Sequence, residues 1–259
     1  MNIAAYSYAL GVVGYVLLLI ALATVWRGRL RGGALGLAVA VSAIWTLASA
    51  AFAATQVPAF ALVLVAEVGR NAAWYAYLNR LIRPEKGANL ESQEFRWFNA
   101  LLGIVSIGMV VWVAAVFFTG NHGMGERTVA SVTHFGQVIM AVLGLAMVEQ
   151  VYRNSRRQKR WAVKLLCFGL GGTFAYDLYM YSSAMLVQEV DVNLWAARGA
   201  VNALAVPLLA MSLARNPSWS PDIFVSRHVA FHSAALLVAG TYLLLMAGAG
   251  YYIRLYGGT

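Results

Sequence analysis

The chain has 259 residues, of which 61% are apolar and only 11% are charged. Soluble domains contain roughly 45–50% apolar and about 25% charged residues, so this composition excludes an ordinary soluble domain. A membrane-spanning helix needs about 20 apolar residues, and the length therefore allows at most about eight or nine spans with no sizeable domain outside the membrane. The net charge of +9 could indicate nucleic acid binding, but in a membrane chain it is first a topology signal.

Eight apolar segments of about 20 residues follow one another along the chain. They predict helices over Ala4–Val25, Gly33–Ala54, Pro58–Leu81, Trp97–Thr119, Val129–Tyr152, Lys164–Val187, Leu194–Leu213 and Val229–Ile253. The chain has no convincing internal repeat. We therefore expect residues 1–259 to form one all-α domain, a polytopic transmembrane bundle of about eight spans.

Fifteen of the nineteen basic residues lie in the loops that follow spans 1, 3, 5 and 7. These are Arg27, Arg29, Arg31, Arg80, Arg83, Lys86, Arg96, Arg153, Arg156, Arg157, Lys159, Arg160, Lys164, Arg215 and Arg227. The positive-inside rule places these loops in the cytoplasm and the N-terminus outside. The sequence thus predicts a multi-pass membrane protein whose first partner is the lipid bilayer, and it does not indicate nucleic acid binding.

Eight spans that begin outside also end outside, where the chain stops soon after Arg254. Two interpretations fit this ending. The chain is either a standalone membrane protein with a short exterior tail, or a protein cut before a further span that returns it to the cytoplasm.

The sequence lacks the residues that several common membrane cofactors require. A retinal Schiff base needs a lysine in mid-membrane, but Lys86, Lys159 and Lys164 all lie in or beside loops. His228 and His232 share a helix face and could approach a metal or haem, although histidines that face lipid headgroups are the simpler interpretation. We predict no metal, no cofactor and no catalytic residue in this chain.

Ionisable residues inside a span are functional candidates, because each costs at least about 2.5–3.5 kcal/mol on insertion scales. Glu67 and Arg70 lie one helical turn apart in span 3, which predicts that they pair on one face. Such a pair either fixes the packing of the helix or forms part of a ligand or proton site. Both interpretations remain open.

Asp177 lies about halfway along span 6 and needs hydrogen-bond donors in the membrane. Tyr181 is on the same helix face, and Arg198 and Asn202 lie on the neighbouring span 7. We predict that these four residues either form a polar ligand-binding pocket in the outer half of the bundle or a purely structural network.

Two further features concern single helices. Pro207 removes a backbone donor from span 7, which predicts a kink that could serve as a hinge. Glu149 lies four residues before Arg153 near the cytoplasmic end of span 5, which predicts an interfacial ion pair.

Two stretches carry a family resemblance: WAVKLLCFGLGGTFAYD from Trp161 to Asp177, and the run from Leu194 to Arg254 that contains SLARNPSWSPDIFVSRHVAFHS. They resemble the membrane-embedded N-terminal region of the sensor histidine kinases of the PEP-CTERM/exosortase system, the PrsK type. The similarity covers about residues 60 to 256.

The resemblance implies a sensory and signalling module of a two-component system that regulates genes for exopolysaccharide and PEP-CTERM proteins. In that family a further span, a GAF-like domain and cytoplasmic histidine-kinase domains follow, so we expect the chain to be truncated before them. ATP, Mg²⁺, phosphorelay to a response regulator and homodimer formation belong to the full-length kinase. No phospho-accepting histidine or nucleotide-binding residue of the family corresponds to a position here, so the transferase activity is not carried by this chain.

Two other functions remain open from the residues alone. Glu67, Arg70 and Asp177 could line the path of a standalone transporter or permease-like protein. The chain could also be a structural scaffold of an export system. A kinase domain in the downstream reading frame would favour the sensor, and a stop codon after Thr259 would favour the transporter.

Overall fold

The computed structural model describes residues 3–24, 33–82, 93–119, 125–155 and 160–215. Within these ranges the chain is all-helical and contains no strand, which confirms the predicted fold class. The predicted eighth span, the histidine pair at 228 and 232, and the aromatic segment 216–224 lie outside the described residues.

The seven helices within the described ranges coincide with the first seven predicted spans. They are α1 (Ile3–Thr24), α2 (Gly33–Thr55), α3 (Phe60–Ile82), α4 (Gln93–Thr119), α5 (Glu126–Asn154), α6 (Arg160–Val187) and α7 (Val192–Arg215). The predicted and observed ends agree to within about four residues, because each helix follows a continuous apolar run that polar or glycine-rich segments bound.

Five of the described helices are long and apolar enough to cross a membrane, namely α1, α2, α4, α5 and α7. The two others, α3 and α6, contain Glu67, Arg70 and Asp177, and neither has a segment of spanning length that is as apolar as those of the five candidates. They have 23 and 28 residues, which is about 34 and 42 Å of helix. Both helices are therefore as long as the five candidates and differ from them in polarity.

Six helices form a closed ring in the order α1, α2, α3, α5, α6, α7, because each packs against the next and α7 packs against α1. Helix α4 lies outside this ring against α3 and α5. The short connections 56–59 and 188–191 lie at the same end of the bundle, which we call the short-loop end. Side chains of α3, α6 and α7 meet across the interior of the ring.

The outer surface of the bundle is strongly apolar. Large exposed side chains line α1 and α4, including Ile3, Leu10, Leu17, Ile104, Ile107 and Phe118. Water would solvate such a surface poorly, whereas lipid tails cover it without loss of hydrogen bonds. The apolar exterior and the five candidate spans together indicate a membrane protein.

Helices α1 and α7 cross at unusually short distance at Gly199. A Cβ atom built on Gly199 would lie 2.5 Å from the backbone nitrogen of Tyr8 and would also overlap the Ser7 hydroxyl. The Ser7 hydroxyl donates a hydrogen bond to the carbonyl oxygen of Ala196 at the same crossing. Glycine at position 199 therefore allows the backbones of α1 and α7 to approach each other.

Candidate functional site

Four charged side chains meet inside the ring of helices: Glu67 and Arg70 from α3, Asp177 from α6 and Arg198 from α7. We call them the tetrad. Each residue is at most 2% exposed. Two arginines and two carboxylates give the tetrad no net charge, which removes the largest part of the cost of holding ions in a membrane.

Arg198 binds both carboxylates of the tetrad. Its Nη2 lies 2.5 Å from Oε1 of Glu67 and its Nη1 lies 2.8 Å from Oε2, so the guanidinium binds the Glu67 carboxylate in a bidentate manner. Its Nε donates to Oδ1 of Asp177 at 2.6 Å. This arrangement uses the planar fork of arginine, and a lysine in the same place could not reproduce it.

Arg70 completes the tetrad from the opposite side of Asp177. Its Nη2 lies 2.5 Å from Oδ2 of Asp177, so each oxygen of this carboxylate accepts from a different arginine. The same guanidinium donates to Oδ1 of Asn71 from Nη2 at 3.0 Å and to Oδ1 of Asn202 from Nη1 at 3.4 Å. Asp177 is thus the bridge between the two arginines.

Neutral polar groups complete the hydrogen bonding around the tetrad. The Tyr181 hydroxyl donates to the Glu67 carboxylate, lying 2.8 Å from Oε1 and 3.0 Å from Oε2. The Tyr15 hydroxyl donates to Oδ1 of Asn202 at 3.2 Å, and the Asn202 amide donates to the backbone oxygen of Arg198 at 3.0 Å. These bonds extend the network to α1 and fix the rotamers of the charged side chains.

The Trp45 indole of α2 lies beneath both arginines. The guanidinium carbon of Arg70 is 4.1 Å from the ring centroid, and that of Arg198 is 4.8 Å away. Cations over an indole face gain electrostatic stabilisation, which increases when water is excluded. Trp45 is itself fully buried, so α2 contributes a buried aromatic ring that packs against both arginines of the tetrad.

The tetrad lies in the interior of the bundle and nearer to the short-loop end. Glu67 is seven residues after the start of α3 and Arg198 is six residues after the start of α7, which is about 9–11 Å along each helix. Asp177 is ten residues before the end of α6, or about 15 Å. Because all four side chains are also buried, the ions depend on one another and on neighbouring polar groups for their hydrogen bonds.

The geometry determines what the tetrad can do chemically. Both carboxylates are held by arginines, and among the described residues no cluster of three or more His, Cys, Asp or Glu side chains could hold a metal ion. The tetrad therefore joins α3, α6 and α7 through ion pairs. Losing one partner would leave an expensive uncompensated charge unless another partner replaced it.

All six residues predicted for the site come together, but as one network. The sequence predicted a Glu67–Arg70 pair on α3 and a separate group of Asp177, Tyr181, Arg198 and Asn202. In the structure Glu67 is bound by Arg198 and Arg70 by Asp177. Contacts across the ring therefore replace the expected pairing along one helix, which spacing alone could not reveal.

The two remaining predictions concern Pro207 and Glu149. Pro207 lies inside the continuous helix α7, and its role as a hinge stays a prediction. Arg153 Nε lies 2.7 Å from Oε1 of Glu149, which confirms the predicted ion pair four residues apart on α5.

Sequence reasoning missed three contributors to the site: Tyr15, Trp45 and Asn71. A signal for Trp45 was present, since Ser42, Trp45, Thr46 and Ser49 place a polar stripe on one face of an otherwise apolar α2. This face is buried in the bundle, and Trp74 donates to the Ser42 hydroxyl at 3.0 Å. A polar stripe on a membrane helix thus predicts which face turns towards the protein interior.

Comparisons with known proteins give no match to a family model, to a curated protein or to a solved structure. The fold and the geometry of the tetrad therefore carry the functional argument together with the resemblance noted from the sequence.

Proposed function

We propose that this chain is the membrane-embedded sensory module of a two-component histidine kinase of the PrsK type, which relays a stimulus to a cytoplasmic kinase that controls exopolysaccharide and PEP-CTERM protein genes. The proposal includes eight spans in the bacterial inner membrane, with the N-terminus and the short-loop end outside. The distribution of basic residues supports this orientation, because fifteen of nineteen lie on the opposite side.

The observation that carries the proposal is the tetrad. It joins α3 to α6 and α7 through four ions in the half of the bundle that would face the stimulus. Helix α7 runs from Arg198 towards Arg215 at the opposite end. A change in how Arg198 is held would therefore move the helix that leads to the predicted cytoplasmic side.

Signalling through the tetrad requires two packing states of the helices and a stimulus that favours one of them. In the first state Arg198 binds Glu67 and Asp177 together. In the second state one of these contacts is released, and α7 shifts or rotates relative to α3. Pro207 lies nine residues beyond Arg198 and is the proposed hinge.

The test uses the full-length product of the gene in lipid nanodiscs. Autophosphorylation with radiolabelled ATP is compared between the native protein, Arg198→Lys and the surface control Arg153→Lys. We expect the Arg198 variant to change the rate at least several-fold while the Arg153 variant leaves it unchanged. A reading frame without a kinase domain, or equal rates for all three proteins, would refute the sensor proposal.

The alternative function is a transporter, which the tetrad favours because ionisable residues inside membrane bundles also mark substrate and proton paths. The two functions differ in a direct measurement. A transporter reconstituted in liposomes moves a solute or protons across the membrane, and the flux disappears in Asp177→Asn. A sensor module gives no flux across the liposome membrane, either as the native protein or as the Asp177→Asn variant.

A further inference from the structure

Two buried side chains of α5, His134 and Gln137, have polar atoms without hydrogen-bond partners among the described residues. Gln137 is 1% exposed, and neither its amide oxygen nor its amide nitrogen has a partner within the part of the chain that the structure describes. His134 is 9% exposed, and its Nδ1 likewise has no partner among these residues. Buried polar atoms are normally paired, so this concentration of unpaired atoms calls for a function.

His134 and Gln137 lie one helical turn apart and belong to the same face of α5. The His134 ring lies 6.0 Å from the Tyr181 ring, centroid to centroid, with the planes tilted by 35°. Tyr181 in turn donates from its hydroxyl to the Glu67 carboxylate. Tyr181 therefore contacts both His134 and the tetrad.

Two titratable groups of other helices face His134 among the described residues. Tyr181 of α6 lies against its ring, and Glu67 of α3 accepts the hydrogen bond of Tyr181. The other charges of the tetrad, Arg70, Asp177 and Arg198, are paired with Glu67 or with one another. The described side chains of α4, from Trp97 to Phe118, carry no charge, and on α5 itself Glu126 and Arg127 lie two turns away at the start of the helix. Glu67 is thus the carboxylate that Tyr181 links to His134.

The packing around these residues favours a ligand of minimal volume. A Cβ atom built on Gly136, between His134 and Gln137 in the sequence, would overlap the Met109 sulfur. The tetrad atoms are also bonded to one another. A proton needs no cavity, and imidazole is the side chain that ordinarily gains a proton between about pH 5 and 8.

We propose that His134, supported by Gln137, is a proton-binding site that opens the tetrad when the compartment at the short-loop end becomes acidic. Hydronium transfers a proton to the free ring nitrogen, so that an N–H bond forms, an O–H bond of hydronium breaks and a water molecule is left. The buried group then carries a net charge of +1 instead of zero. This inference rests on the proposed function only in naming the proton as the stimulus.

The consequence follows from charge compensation. An imidazolium in the membrane interior requires a carboxylate, and Glu67 is the carboxylate connected to it through Tyr181. Glu67 therefore turns from Arg198 to His134, while Arg198 keeps Asp177. The Gln137 oxygen accepts a hydrogen bond from the imidazolium and its nitrogen donates to the arriving carboxylate, which uses both unpaired atoms.

The first experiment measures proton binding in the 259-residue chain in nanodiscs. His122, His228 and His232 are changed to Gln so that His134 is the single histidine, and its ring nitrogens are followed by ¹⁵N NMR between pH 4.5 and 8.5 (roughly the range in which histidines titrate). We expect one titration within this range and none after His134→Gln. A ring that keeps one protonation state throughout would overturn the proposal.

The second experiment measures the opening. Spin labels are placed at Tyr6→Cys on α1 and Val132→Cys on α5, both exposed positions, in a Cys167→Ala background. We expect the distance between the two labels to change by roughly 2–5 Å on acidification, which is the size of a typical helix shift. The change should be lost in His134→Gln and reduced in Gln137→Leu.

A distance change that persists in His134→Gln would refute the proton site. An absent distance change, together with a titrating His134, would refute the opening of the tetrad. Either result leaves the kinase proposal standing, because that proposal is tested separately by autophosphorylation. Conversely, a protein without a kinase domain could still show both pH responses.

Discussion

Arg198 and Glu67, which are 131 positions apart in the sequence, are joined by two parallel hydrogen bonds of 2.5 and 2.8 Å inside the bundle. The contact spans the interior of the helical ring from α7 to α3. Asp177 of α6 accepts a hydrogen bond from Arg198, and Tyr181 of the same helix donates one to Glu67, so three helices depend on one guanidinium. The stability of the bundle should therefore respond more strongly to this arginine than to any arginine on the surface.

Arg198→Lys should destabilise the protein although the charge is conserved. A lysine cannot contact both oxygens of Glu67 and also Asp177, and an underbonded carboxylate remains in the membrane interior. Breaking a buried ion pair costs about 3–5 kcal/mol, which should lower the unfolding temperature by several degrees. Thermal unfolding in a mild detergent, followed by tryptophan fluorescence, measures the change.

Arg153→Lys is the matched control for this prediction. Arg153 also binds a carboxylate, Glu149, but its side chain is 37% exposed. An exposed pair of this type contributes less than about 1 kcal/mol, so the control should unfold close to the native protein. Equal effects of the two substitutions would show that the tetrad does not hold the bundle together.

Asp177→Asn should destabilise the protein, and Arg70→Gln should partly restore it in the double variant. The single change leaves two arginines with one carboxylate and a net charge of +1. Removing the charge of Arg70 returns the group to neutrality and allows amide–amide hydrogen bonds. A double-mutant cycle should give a coupling energy of about 1–3 kcal/mol between the two positions.

If the losses in the free energy of unfolding were additive in this cycle, Asp177 and Arg70 would not interact directly. The cycle is informative even if the single Asp177 variant is poorly expressed, because the double variant alone should accumulate in the membrane. Its yield relative to the single variants then provides the readout.

Tyr181→Phe should have a smaller effect than either charge substitution. It removes the hydroxyl that bonds Glu67 but leaves the ring in place and Arg198 in contact with the carboxylate. Loss of one hydrogen bond to a charged group costs about 1.5–3 kcal/mol. Tyr179→Phe serves as the control, since Tyr179 lies on the same helix and its side chain is exposed. A larger loss of stability in the control would contradict the assignment.

The sequence was a reliable guide to the helices because a membrane imposes a strong and simple pattern. Each span is about 20 residues long and mostly apolar, and most charges lie in the loops. The predicted spans therefore match α1 to α7 closely. The helices α3 and α6 were found for the same reason, although ionisable residues interrupt their apolar runs.

The residues of the site were predicted correctly, but the ion pairs that they form were not. Glu67, Arg70, Asp177 and Arg198 are conspicuous because charges within spans are costly. Spacing along α3 suggested that Glu67 and Arg70 bind each other, whereas the structure places each opposite a residue of another helix. Which helices face each other across the ring depends on the whole packing arrangement, and a local pattern carries no such information.

Gly199→Ala should weaken the packing of α1 against α7 and disturb the tetrad through Arg198. The added methyl group would meet the backbone of Tyr8 and the side chain of Ser7, so the helices must separate. Overpacking of this kind costs about 1–3 kcal/mol, which exceeds the gain of about 1 kcal/mol from helix propensity. The measurement is again thermal unfolding, together with the spin-label distance between α1 and α5.

Gly36→Ala is the control for this substitution. Gly36 lies inside α2, and an added Cβ there meets no heavy atom of the described structure within 4 Å. The helix-propensity gain should then appear without a packing cost, so this variant should be as stable as the native protein or slightly more stable. If Gly199→Ala were equally well tolerated, α1 would not be held close to Arg198, and motion of α1 could not reach the tetrad through this crossing.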